Sequence, residues 1–277
     1  MLTHADIPGH NRHGLVIDDW PVLCDDKVRY AGDAVAIVAA DSEELAAAAI
    51  DLIAVEYEEL PVVSDALQAS EPGAPLVHDG RSDGNLLKHI RVDKGDIEAG
   101  FADADVIVDR TYRTQSAEHL FLEPECSIGI PAGYDPGAFG GDVDDDAVRG
   151  ETARHSKTTI YVGSQIPYQD RDQAAAALGV QPDAVRVVAT LTGGGFGGKE
   201  DITGQIHVAL LAEKTGRPVK MLYSRQESLL VHPKRHPTVI RTRIGARSDG
   251  TPAPTIAQAR RREETVSAWR LPRVPHG

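Results

Sequence analysis

Five glycines within ten residues constrain this 277-residue chain more than any other stretch. Residues 192–201 read TGGGFGGKED and follow an apolar, β-branched segment at 185–191. The segment after them, 202–215, has apolar residues at helical spacing. Glycine permits positive φ angles and lets a ligand approach the backbone closely. The pattern predicts a strand, a loop with exposed backbone amides, and a helix whose N-terminus would favour an anion.

Two general nucleotide-binding patterns also match this loop. The phosphate-loop pattern is met except at its last position, where Glu200 replaces the hydroxyl that binds Mg²⁺ and would repel phosphate. The dinucleotide pattern G-x-G-x-x-G is met at Gly193, Gly195 and Gly198, but the next predicted strand, 219–223, lacks the acidic residue that would hold a ribose. A Rossmann-like nucleotide-binding module is therefore an alternative function.

The composition argues against several classes of partner. The chain has 42 acidic and 29 basic residues and a net charge of −13, which disfavours nucleic acid and anionic membrane as partners. Its two cysteines, Cys24 and Cys126, are too few for a disulfide framework or a four-cysteine cluster. No apolar run approaches the length of a membrane span, and the first residues do not begin a signal peptide. We expect a reduced, cytoplasmic protein.

The N-terminal part predicts a β-α-β unit. A buried strand is expected at 34–40, a helix capped by Ser42 at 45–53, and an alternating strand at 55–63. We interpret four carboxylates of this unit as a solvated surface rather than a catalytic site: Asp33, Glu56, Glu58 and Glu59.

Further elements are predicted on both sides of an acidic stretch. A short helix is expected at 96–104, a strand at 106–114 and another at 158–165. A helix at 169–178 should end at Gly179. Between these elements, 132–156 contains an acidic run that is out of register with a calcium-binding loop, so we interpret it as an acidic surface insertion.

A metal site is the second interpretation of the segment around residue 120. His119, Glu123 and Glu125 offer ligand atoms, but their spacing fits neither one face of a helix nor a zinc pattern. We therefore do not predict a metal site there.

The string GGGFGGKE closely resembles the pterin-binding loop of the molybdenum hydroxylases, the xanthine dehydrogenase and aldehyde oxidase family. Three other segments carry the same resemblance. Residues 27–61 are similar to the family's α/β-hammerhead domain, 118–126 to its turn around a Glu-Pro pair, and the strand ending at Gln165 to the one that precedes the glycine loop. The resemblance covers about residues 2–250.

The resemblance implies an α+β fold in consecutive parts. Residues 1–68 would form a partial hammerhead domain, 69–90 a linker, and 91–250 an incomplete first molybdopterin-binding domain. Residues 251–277 depart from the family and become rich in Arg and Pro, which we interpret as a divergent tail from a frameshifted or truncated gene. By the same resemblance, we expect the strands that usually open the hammerhead domain to precede this segment.

The resemblance also assigns a cofactor and its ligands. The cofactor would be molybdenum held by molybdopterin, and Gln165 would donate a hydrogen bond to an oxo ligand of the metal. Gly195, Phe196 and Gly197 would present backbone and ring to the pterin. The full set of cofactor-binding residues implied is Gln165, Gly194, Gly195, Phe196, Gly197 and Gly198.

Two charged residues follow in the same motif. Glu200 would face and orient the substrate, and because aldehyde oxidases tend to be apolar there, it favours a purine. Lys199 would be a structural or pterin-phosphate contact, or equally an exposed lysine at a helix start.

The implied reaction is hydroxylation of an electron-poor carbon in a purine, related N-heterocycle or aldehyde, with oxygen from water. The resemblance places the general base in a further, C-terminal molybdopterin domain, which we expect to lie outside these 277 residues. The iron–sulfur clusters and FAD would belong to partner subunits. We therefore expect the isolated chain to be inactive, and a non-catalytic scaffold for partner subunits is the other alternative.

Overall fold

The computed structural model describes residues 1–80, 83–92, 94–135 and 156–261. Contacts divide the chain into two units, the first formed by residues 1–58 and 119–233 and the second by 59–118 and the chain from 234 onward. Each unit is assembled from separate parts of the sequence. The consecutive parts expected from the sequence do not coincide with these units.

The described residues form short strands and helices in alternation. The strands are β1 Leu2–Thr3, β2 Arg12–His13, β3 Trp20–Pro21, β4 Ala36–Ile37, β5 Val106–Arg113, β6 Cys126–Ile130, β7 Thr158–Val162, β8 Val185–Ala189, β9 Val219–Leu222, β10 Thr238–Ala246 and β11 Pro252–Arg261. The helices are α1 Glu43–Ile50, α2 Ala66–Ala69, α3 Ile97–Ala102, α4 Pro167–Leu178, α5 Gln205–Thr215 and α6 Arg225–Val231. No helix among the described residues is long and apolar enough to cross a bilayer.

The first unit is built on a mixed four-stranded sheet in the order β8-β7-β6-β9. β7 and β8 run parallel, and β6 is antiparallel to both β7 and β9. Parallel neighbours need a crossover connection, which α4 supplies between β7 and β8. α4 ends at Gly179, which takes the left-handed conformation (φ 69°) expected of a glycine stop signal.

α5 forms the centre of this unit's core. It is apolar on nearly all sides, and Val208, Ala209 and Ala212 are fully buried against the sheet. Gly129 of β6 allows this close packing, since a Cβ atom there would lie 2.5 Å from the carbonyl oxygen of Val208. α5 ends at Gly216 in the left-handed conformation, as its sequence predicts.

The N-terminal segment differs from the predicted β-α-β unit. Ser42 caps α1 as predicted, accepting a hydrogen bond from the Leu45 N–H at 3.3 Å. The predicted strand at 34–40 is reduced to the two residues of β4, which pair with β1. No strand forms at 55–63, where one was predicted, and these residues are mostly exposed. A strand needs a neighbouring strand to pair with, and none lies beside this segment among the described residues.

Asp33 is a buried structural residue, which corrects its interpretation as part of a solvated face. It is 8% exposed and accepts hydrogen bonds from Trp20 Nε1 at 3.0 Å and from the Arg29 N–H at 2.7 Å. Burial raises its pKa above the ordinary value, against the opposing effect of these bonds. Asp33 therefore stabilises the turn at 29–33.

The second unit contains a three-stranded antiparallel sheet in the order β11-β10-β5. α3 lies within the range predicted for a short helix and is capped by Asp96; it buries Phe101 in this unit, and the guanidinium of Arg243 lies 4.5 Å from the ring centroid. β11 lies at the start of the region predicted as a divergent tail. The first part of that tail is therefore a strand, which pairs with β10. Most of the predicted acidic insertion, 136–155, and the chain beyond 261 lie outside the described residues.

The contact at Gly129 predicts a specific loss of stability. Gly129→Ala should lower the free energy of unfolding by about 1–3 kcal/mol, because the new methyl group must displace α5 from β6. Urea denaturation of the full chain measures this. The matched control is Gly204→Ala, where a Cβ atom meets nothing closer than 3.4 Å and the loss should stay below about 1 kcal/mol. Equal losses would show that the β6–α5 spacing is not the constraint.

Candidate functional site

The glycine loop turns through left-handed backbone at three places. Gly194 has φ 99°, Phe196 φ 52° and Gly197 φ 87°. The Gly198 N–H donates to the Gly195 carbonyl oxygen at 2.7 Å and closes a turn around Phe196. A positive φ is strained for a bulky residue, so surrounding contacts must hold the turn. The Phe196 ring is 65% exposed.

Gln165 lies across this turn. The segment after β7 brings its side-chain Oε1 to 3.1 Å from the Gly197 N–H, which donates to it. A Cβ atom on Gly195 would lie only 2.4 Å from the same oxygen, so a side chain there would displace the carboxamide from this position. The structure thus brings together Gln165, Gly195, Phe196 and Gly197. The Gln165 side-chain nitrogen is not used in this bond.

Lys199 is buried, which corrects both the exposed-lysine and the phosphate-contact interpretations. Its side chain is 4% exposed, and Nζ lies 2.8 Å from Oε2 of Glu123 and 4.8 Å from the centroid of the Phe121 ring. Glu123 Oε2 also accepts a hydrogen bond from the Gly193 N–H. Since Glu123 is engaged in this way, it is not available with His119 and Glu125 for the metal site considered from the sequence.

The sequence analysis missed Glu123 and its neighbour Phe121 as parts of this site. The pairs that join them to the loop are about 70 residues apart in the chain, so local spacing gives no sign of them. The only signal was the Glu-Pro pair at 123–124, which carried the family resemblance.

The base of the loop is closely packed around Gly198. A Cβ atom on Gly198 would lie 2.6 Å from Cε1 of His232 and 2.8 Å from Cε1 of Phe121. Both side chains are almost fully buried, and their rings meet edge to face with centroids 5.0 Å apart. Nε2 of His232 lies 2.9 Å from the Gly198 carbonyl oxygen. Gly198 is therefore required for packing, and it is not exposed to a ligand.

The helix after the loop begins later than predicted. A turn of 3₁₀-helix covers Gly198–Glu200, and α5 begins only at Gln205. Gln205 is buried, and its Oε1 accepts from the Thr203 and Gly204 N–H groups at 2.8 and 2.9 Å. The amides at the start of this helix are thus partly occupied by its own side chain. The helix therefore does not begin at the glycine loop, as a Rossmann-like nucleotide site requires.

Glu200, the predicted substrate-orienting residue, ends the same 3₁₀ turn and is half-buried. It follows Lys199 directly, so the turn separates a buried cation from a partly accessible carboxylate.

Comparison with known families identifies the domain that contains this loop. The model of the molybdopterin cofactor-binding domain matches residues 77–137 and 146–254, which is more than half of the chain. The chain belongs to the xanthine dehydrogenase and aldehyde oxidase family. The a/b hammerhead domain of the same family matches residues 1–61. These matches confirm the family resemblance, the α+β fold class and the presence of a molybdenum–molybdopterin-binding domain.

Individual relatives of this molybdenum hydroxylase chain cover most of it. It is 40% identical over 250 residues to a probable xanthine dehydrogenase subunit of Bacillus subtilis, covering 90% of this chain and 30% of that protein. It is 38% identical over 250 residues to the nicotinate dehydrogenase large molybdopterin subunit of Eubacterium barkeri, covering 90% of this chain and 53% of that protein. A solved aldehyde oxidoreductase of Desulfovibrio gigas is 31% identical with a TM-score of 0.76, covering 91% of this chain and 26% of that one. The chain therefore spans between a quarter and about half of these relatives.

The residues at the turn fit a pterin cofactor of this kind. The exposed side of the loop offers backbone at 196–197, an aromatic ring and the carboxamide of Gln165, all of them uncharged. Such groups suit a flat, nitrogen- and oxygen-rich ring and the oxygen ligands of a metal. The one lysine of the motif is buried beneath the loop and paired. No feature of the described turn conflicts with the cofactor.

The Lys199–Glu123 pair predicts a measurable titration. Partial burial raises the pKa of Glu123, but hydrogen bonds from Lys199 and Gly193 lower it by more. The net result is a pKa below the ordinary value of 4.5. The stabilisation from the carboxylate is therefore complete above the ordinary pKa and is lost as the pH falls through the lower folded-state value. A carbon NMR titration of the side-chain carboxyl should give a pKa below 4.5.

Lys199→Met should raise that pKa, because the charged donor is gone. The control Lys220→Met removes an exposed lysine of β9 and should leave the titration of Glu123 unchanged. An unaltered pKa in Lys199→Met would contradict the pairing.

Proposed function

We propose that this chain forms the cofactor-facing wall of a xanthine dehydrogenase-like hydroxylase that oxidises purines or related N-heterocycles with oxygen derived from water. The observation that carries the proposal is the position of Gln165 across the Gly195–Gly197 turn, with Glu200 at the end of the 3₁₀ turn that follows. Three kinds of group are therefore available around the glycine loop: a carboxamide donor, exposed backbone and a carboxylate.

Gln165 and the loop bind and orient the cofactor. When bound, molybdenum–molybdopterin supplies Lewis-acid chemistry and accepts two electrons. Gln165 uses its oxygen for Gly197 and keeps its side-chain nitrogen to donate to an oxygen ligand of the metal. Phe196 provides a flat apolar surface, and Gly194, which could not carry a side chain beside Phe121 and Phe196 without crowding, keeps the turn close to them. Gly198 fixes the base of the turn.

Glu200 orients the substrate in this proposal. A partly accessible carboxylate can accept hydrogen bonds from a ligand, and a purine or a related N-heterocycle offers N–H groups that can donate to it. Two of the relatives carry the names of N-heterocycle dehydrogenases, one for xanthine and one for nicotinate. An aldehyde has no such donor and gains less from the carboxylate.

Other subunits complete the enzyme in this account. The chain's two cysteines are too few for a four-cysteine iron–sulfur cluster, so an iron–sulfur subunit and a FAD subunit would accept the electrons. The general base and the second wall of the cofactor site come from the remaining C-terminal molybdopterin domain. The isolated chain should therefore not turn over substrate. We also still expect the protein to be cytoplasmic.

Substitution of Glu200 tests the choice of substrate. In the assembled enzyme, Glu200→Val should lower kcat/KM for xanthine roughly ten- to hundredfold, because a charged hydrogen bond is lost. This corresponds to a loss of about 1.5–3 kcal/mol of transition-state stabilisation. Oxidation of an aromatic aldehyde should change much less. Glu200→Gln is the matched control, since it keeps shape and hydrogen bonding and should retain part of the xanthine activity. Equal losses for both substrates would remove Glu200 from substrate binding.

A further inference from the structure

Lys199 makes contacts that reach both sides of the candidate site. Its ammonium group bonds to Glu123 Oε2, which also accepts the Gly193 N–H at the start of the glycine loop. Its backbone carbonyl oxygen accepts the Gln165 N–H at 2.8 Å. One residue thus connects the first glycine of the loop with the residue that lies across the turn.

The surroundings of Lys199 make this connection rigid. Its side chain is 4% exposed while that of Glu123 is 36% exposed, so the ammonium group is the more deeply buried partner. A buried ammonium group is costly unless it is paired, and here it has the carboxylate and the face of Phe121. The Glu123 N–H also donates to the Gly193 carbonyl oxygen at 3.4 Å, which adds a backbone contact to the charged one.

We propose that Lys199 and Glu123 are a pair of positioning residues that hold Gln165 and the glycine loop in the geometry the cofactor needs. The inference rests on the proposed function of the loop. Neither residue needs to touch the cofactor, because Glu123 acts through Gly193 and Lys199 acts through the Gln165 N–H. A charged pair has a directional requirement that apolar packing lacks, so it fixes one arrangement of a loop whose glycines allow many.

Hydrogen exchange of the backbone amides tests the pair in the 277-residue chain without cofactor. Lys199→Met keeps the length of the side chain and removes its charge. The amides of 193–198 and Gln165 should then exchange roughly tenfold faster, while those of β7 and β8 keep their protection. The matched control is Lys214→Met on α5, whose side chain is 64% exposed; it should leave the loop unchanged.

Glu123→Gln is the second variant. It keeps the shape of the side chain and should preserve the fold, so it tests the pair even if Lys199→Met does not fold. If the two residues act as one unit, the double variant should exchange no faster than the faster single variant. Unchanged loop exchange in Glu123→Gln, or additive effects in the double variant, would overturn the inference. An equal increase throughout β7 and β8 would also overturn it, because Lys199 would then be a general core residue.

Cofactor retention separates this inference from the proposed function. Chains assembled with the remaining molybdopterin domain, in cells that make molybdopterin, are assayed for bound pterin by fluorescence after oxidation. Faster loop exchange together with reduced pterin in Lys199→Met and in Glu123→Gln supports both. If exchange is faster in the variants but the wild-type chain holds no pterin, the pair orders the loop, and its proposed role in holding the cofactor is contradicted. Pterin bound equally by wild type and both variants overturns the inference while leaving the proposed function intact.

Discussion

Parallel pairing of β7 and β8 is the constraint on which the candidate site depends. The carboxyl ends of parallel neighbours meet at one edge of a sheet, and here those ends continue into Gln165 and the glycine loop. The pairing persists beyond the strands, since the Thr190 N–H donates to the Val162 carbonyl oxygen at 3.0 Å. The crossover helix α4 is what allows two strands that are consecutive in the sheet to run in the same direction.

The loop at this edge is ordered by contacts rather than by its own sequence. Its glycines allow many backbone conformations, and Phe196 adopts one that is unfavourable for a bulky residue. Three groups of contacts offset that cost: the carboxamide of Gln165, the Lys199–Glu123 pair, and the packing of Gly198 on Phe121 and His232. The result is a turn at 194–197 whose exposed groups are uncharged, while Lys199 is buried and paired with the partly exposed Glu123. This polarity suits a hydrogen-bonding cofactor edge.

Local signals in the sequence predicted the elements that have clear ends. Ser42, Gly179 and Gly216 mark helix boundaries through capping, which acts within a few residues. The meeting of Gln165 with the glycine loop followed from the family resemblance. Contacts between distant parts of the chain could not be read from spacing, and this is why the burial of Lys199 against Glu123 was missed.

The other differences have related causes. The alternating pattern at 55–63 predicts a strand only if a neighbouring strand accepts it, and the described chain offers none. The start of α5 at Gln205 depends on the buried side chain of Gln205, which accepts hydrogen bonds from the two amides before its own helix. Glutamine is not a residue that usually marks the start of a helix in a sequence. The discontinuous units follow from the return of the chain after residue 118, which composition does not reveal.

We propose that the glycine loop and Gln165 form one wall of a molybdopterin site. A crystal structure of this chain, assembled with the remaining molybdopterin domain and loaded with cofactor, is the test. We expect the cofactor to lie against residues 194–197, with the side-chain nitrogen of Gln165 within hydrogen-bonding distance of an oxygen ligand of the metal. A cofactor bound elsewhere, with this turn and Gln165 in contact only with solvent, would contradict it.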